Sequence, residues 1–72
     1  MRQYLIDARN KKRLTQVEAA SKLFMSQNYL SNLETGKRQK SLSVATLKAF
    51  SKVYQIPLAD LIASESAYGN TR

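Results

Sequence analysis

The chain has no cysteine and no histidine. Without thiols there can be no disulfide and no thiolate metal site, and without imidazole the usual zinc ligand sets and the commonest general base are missing too. Acidic groups are scarce, with five Asp and Glu against twelve Lys and Arg in 72 residues. Five scattered carboxylates, with no glycine-rich phosphate loop, assemble no catalytic constellation. An enzyme, a metal, a bound cofactor and a small-molecule substrate are therefore not expected. No apolar run approaches the roughly 20 residues of a membrane-spanning helix. The N-terminus, MRQYLIDARN, has no apolar segment of the signal-peptide kind. A soluble protein is expected, and the cytoplasm is the compartment that fits.

What the chain has in excess is positive charge. The formal net charge is +7 and the isoelectric point is near 10.1, which suits a polyanionic partner or, more blandly, a soluble basic surface. At this length one small domain with a single core is expected.

The stretch Thr15 to Glu34, TQVEAASKLFMSQNYLSNLE, organises the rest. Thr15 followed by Glu18 has the spacing of a capping box, which starts one helix. Ala19, Ala20 and Leu23 fall on one stripe of it. Ser26 suits the cap of a second helix, in which Leu30 and Leu33 recur at the spacing of a buried face. Helices this short are unstable alone, so their apolar stripes must pack together and on the remaining chain. The opposite face of the second helix carries Gln27, Asn28, Ser31 and Asn32. Amides both donate and accept, and can bond bidentately to adenine in the major groove of DNA.

The segment LTQVEAASKLFMSQNYLSNLETGKR resembles the helix-turn-helix of the Cro/lambda-repressor-like (XRE) family. Thr15, Gln16, Ala20, Ser26, Leu30, Leu33, Glu34 and Gly36 stand at family positions, and the likeness runs from about Leu5 to Ile62. It implies an all-α, compact five-helix domain that binds double-stranded DNA as a transcriptional regulator. Gln27, Asn28, Ser31 and Asn32 then match base-reading positions. Gln16, opening the first helix of the motif, is implied as a phosphate contact, as helix N-termini often are. Arg9 resembles the arginine that pairs with the acid ending the reading helix, here Glu34; a carboxylate facing DNA would be repelled by phosphate. One departure stands out: Phe24 occupies the turn position where the family usually has Gly. Either its backbone takes a strained positive φ, or the turn is built differently.

Outside the motif, residues 2–12 read as a first helix with Leu5 and Ala8 inward, followed by the basic cluster Arg9, Lys11, Lys12 and Arg13. Tyr29 could donate to a phosphate or pack half-buried. Gly36 stops the reading helix, and Lys37, Arg38 and Lys40 follow in a loop suited to the phosphate backbone. Ser43 caps a fourth helix with Val44, Leu47, Phe50 and Tyr54 as its inward face. Pro57 breaks the chain before a fifth, short helix with Leu58, Leu61 and Ile62. These three either seal the core or form a homodimer interface on a two-fold symmetric operator. The reading divides the chain into a domain over 1–63 and a flexible, aperiodic tail over 64–72.

A regulator, and by its small size a repressor, is the function this pattern favours. The rival is a protein-interaction module on the same fold, since fold alone does not license function. That rival predicts carboxylates or large apolar groups on the reading face, which has neither.

Overall fold

The computed structural model describes residues 1–37 and 41–70. Among the described residues there are five helices and no strand: α1 (Gln3–Lys11), α2 (Gln16–Lys22), α3 (Gln27–Thr35), α4 (Val44–Tyr54) and α5 (Leu58–Asn70).

Each of the three middle helices begins where a hydroxyl meets a free amide. The α2 cap is a reciprocal box: Glu18 N donates to Thr15 Oγ1 at 3.1 Å and Thr15 N donates to Glu18 Oε1 at 2.9 Å. Ser26 accepts from Tyr29 N at 3.1 Å to start α3, and Ser43 accepts from Thr46 N at 3.2 Å to start α4. The corners all use left-handed backbone. Gly36 (φ 78°) ends α3, whereas Arg13 (φ 57°), Phe24 (φ 57°) and Gln55 (φ 56°) adopt the same region with a side chain in place. Phe24 is thus the strained alternative: the turn keeps the form that Gly would favour, and its ring is 97% exposed.

The helices pack as their stripes require, α2 on α3, α1 on α3 and α4 on α5. Leu5, Ala19, Leu30, Leu33, Leu47 and Phe50 lie at the centre of the core. Each fully buried Leu or Phe contributes roughly 1.5–3 kcal/mol over its exposed state, and in so small a domain few can be spared. Three buried residues escaped the sequence reading, Glu65 of α5 among them. Leu42, just before the α4 cap, is core, and the charged side chain of Arg2 is buried beside it with no solvent exposure at all.

Three expectations need correction. Val44 is 53% exposed rather than inward, because it is the first residue of α4 and the inward stripe begins one turn later at Leu47. Leu61 is only 2% exposed and belongs to the monomer core, so it is not available to a second chain. The tail over 64–72 does not begin where expected: α5 continues through Asn70. Its inward stripe is Leu58, Leu61, Glu65 and Tyr68, with helical spacing throughout. Glu65 occupies the third place and is buried. A carboxylate on an inward stripe interrupts the apolar pattern, which is why the helix looks finished at residue 63.

Candidate nucleic-acid interface

α3 is amphipathic in an unusual sense, since its outer face is polar but uncharged. Leu30 and Leu33 hold one side against the core, while Gln27 and Asn28 are exposed and Ser31 and Asn32 are half-buried. Among the described residues the side chains of these four make no hydrogen bond within the chain. Three amides and a hydroxyl therefore keep their donors and acceptors for something outside the protein.

The one carboxylate on this helix is removed from that face. Arg9 Nε donates to Glu34 Oε2 at 2.8 Å and Arg9 Nη2 to Oε1 at 3.4 Å, a forked contact in which the Glu34 side chain is 1% exposed. Arg9 Nη1 also donates to the Leu14 carbonyl at 3.0 Å. Gln16 Nε2 adds a further hydrogen bond to Glu34 Oε1 at 2.9 Å. Glu34 thus ties the end of α3 to α1 and to the first residue of α2, while Arg9 joins α1 to the turn that follows it. Gln16, implied as a phosphate contact, is half-buried and engaged with Glu34 through one amide hydrogen. An amide nitrogen carries two hydrogens, so one remains to be donated elsewhere.

The other sequence-selected residues sit around this helix. Tyr29 is half-buried on α3, packing against the core, and Lys37 is exposed just beyond Gly36. Arg38 and Lys40 lie outside the described residues. Of the proposed interface residues on α5, Ile62 is 43% exposed and Leu58 is half-buried.

The electrostatics favour an anionic partner, since twelve Lys and Arg stand against five acids, of which only Asp7, Glu18 and Asp60 are exposed. Glu34 and Glu65 are both buried against arginines, and Glu18 is held in its capping box. Thr15 holds the Glu18 carboxyl below its ordinary range, first through its backbone amide and then its hydroxyl. Burial, reinforced by Glu34 and opposed by Arg9, pushes the Tyr54 hydroxyl up to about 12. That hydroxyl finds no hydrogen-bond partner among the described residues. Lys11, Lys12, Arg13, Lys22 and Lys37 are all exposed.

Among the described residues no group of acids, histidines or cysteines could hold a metal ion, and no helix is long and apolar enough to cross a membrane. Neither the curated proteins nor the solved structures provide a match to the chain. A helix-turn-helix family model, in contrast, matches residues 5–61, from the first core leucine of α1 to the buried leucine of α5. The matched span, the two capped helices meeting at a left-handed corner and the polar outer face of the second agree: the chain belongs to the Cro/lambda-repressor-like (XRE) family of DNA-binding helix-turn-helix regulators.

Proposed function

We propose that the chain is a repressor that inserts α3 into the major groove of a two-fold symmetric operator, two copies acting together as a homodimer. The observation that carries this reading is the face of α3. The side chains of Gln27, Asn28, Ser31 and Asn32 make no hydrogen bond among the described residues, while Glu34, the acid that phosphate would repel, is buried against Arg9. Base edges are read by Gln27, Asn28 and Asn32, with Ser31 contributing less. Gln16, Tyr29 and Lys37, with Arg38 and Lys40 from the sequence, supply phosphate contacts that set register and affinity.

Dimerisation follows from information. A single helix in the groove reads about 4–6 base pairs, too few to select a genomic site, and two helices spaced by one DNA turn, about 34 Å, double the address. Ile62, exposed on α5, and half-buried Leu58 beside it supply the apolar surface for the two-fold contact.

Selection of bound sequences from a random DNA pool tests the reading. The expected outcome is an enriched site with dyad symmetry and half-sites about one turn apart. Enrichment of a single short half-site defeats the dimer, and no enrichment at all defeats sequence reading.

A further inference from the structure

The carbonyls at the end of a helix have no partner within it and carry the negative end of its dipole. At the end of α3 those groups are met by the N-terminus of the chain. Arg2 N donates to the Glu34 carbonyl at 2.6 Å, and Arg2 Nη1 donates to the Leu33 carbonyl at 2.8 Å. A fully buried guanidinium therefore caps the C-terminal end of the reading helix from the far end of the sequence.

A buried cation at this depth needs a fixed counter-charge. Glu65 provides it, accepting from Arg2 Nε at 2.9 Å and from Nη2 at 3.1 Å. The same carboxylate accepts from the Tyr4 hydroxyl at 2.6 Å and from the Leu42 amide at 2.8 Å, so both its oxygens are saturated. The ring of Tyr68 covers the guanidinium face, 4.6 Å from its centre. Its hydroxyl lies so close to Gly36 that a Cβ there would collide with it. Arg2, Glu65 and Tyr68 thus enclose the last turn of α3 without lying on its reading face.

We propose that Arg2, Glu65 and Tyr68 are positioning residues for DNA reading: by clamping the C-terminal end of α3 they hold Gln27, Asn28 and Asn32 in register with the bases. This rests on the proposed reading of DNA by α3. Base recognition requires side chains placed to within a fraction of an ångström, whereas non-specific binding depends mainly on charge. The two kinds of affinity should separate when the clamp is loosened at constant charge.

The test uses Arg2→Lys, which keeps the charge but loses the fork, and Tyr68→Leu, which removes the aromatic cover. Both are compared with the unaltered chain on its selected site and on random DNA, at a temperature where circular dichroism shows full helix content. The expected result is a loss of about tenfold or more in affinity for the selected site, with affinity for random DNA within about twofold of the unaltered chain. Faster hydrogen exchange at the Lys37 amide, which donates to the Asn32 carbonyl at the end of α3, should accompany it. Unchanged preference in folded variants overturns the proposal, as does an equal loss on both DNAs. Failure of both variants to fold also overturns it, since the cluster would then be a requirement of the fold. If the unaltered chain selects no sequence, the reading of DNA by α3 itself fails, and the two failures are thereby told apart.

Discussion

Among the described residues, three bear a conformation that glycine would hold without cost. Only two glycines are present, and only Gly36 serves a corner with positive φ; Arg13, Phe24 and Gln55 occupy the others. A non-glycine residue in left-handed backbone costs roughly 1–2 kcal/mol. At Phe24 the ring returns nothing to the core, being 97% exposed. Phe24→Gly should therefore raise stability by about 1 kcal/mol, the strain relieved less the extra entropy of glycine in the unfolded chain. Thermal or urea unfolding checks this, and a clear loss would mean that the ring packs in solution. The register of the motif exposed this position from sequence, since a Phe stood where the turn wants Gly. Arg13 and Gln55 carried no such signal, because a long polar residue at a corner looks like any exposed side chain.

At the scale of the helix, the chain was legible where its elements follow local rules. Thr15 with Glu18, Ser26 and Ser43 mark three helix starts by the spacing of hydroxyl to amide. The leucine stripes of α3 mark its buried side. It was illegible where a tertiary partner supplied the rule. Arg2 and Glu65 are far apart in sequence, each resembles an exposed charge, and only the folded chain brings them together. Arg9 and Glu34 were legible through the family pattern and not through periodicity. Their side chains are 14% and 1% exposed, so truncating either leaves a charge with little access to water. Glu34→Ala should cost roughly 3–5 kcal/mol, and a double-mutant cycle with Arg9→Ala should show strong coupling. Additive losses would mean that the two residues act independently.

Over the whole molecule, the titratable groups set the range of pH in which the fold is stable. Burial alone would push the Glu65 carboxyl up, but hydrogen bonds from Arg2, Tyr4 and the Leu42 amide together hold it below its ordinary range. Its contribution is therefore complete above the unfolded value of about 4.3 and is lost as pH falls through the lower folded value. Tyr54 works in the opposite sense. Burial first, then Glu34, push it up to about 12, so its contribution is complete below the unfolded value of about 10 and is lost as pH rises beyond it. Tyr4 shifts upward as well, for burial and for its bond to Glu65. With no histidine in the chain, melting temperature should be nearly flat between about pH 6 and 9 and fall on both sides. A midpoint transition near neutral pH would contradict these assignments.

The same scale decides assembly. Ile62 is a large exposed hydrophobic residue of α5, and Leu61 beside it is spent in the core. Ile62→Glu should change monomer stability by no more than about 0.5 kcal/mol, as surface substitutions usually do, while weakening dimerisation in sedimentation with operator DNA. A dimer of undiminished strength would place the two-fold contact elsewhere.

Above all, we propose that the uncharged face of α3 reads bases. It is tested most directly by measuring the affinity of Asn28→Ala and Asn32→Ala for the selected site and for random DNA across a salt series. Each should lose roughly 1–3 kcal/mol on the selected site, relax the preference at one base position per half-site, and leave the salt slope and random-DNA affinity unchanged. Equal losses on both DNAs, or a reduced salt slope with the sequence preference intact, would show these residues to be phosphate contacts and contradict the account.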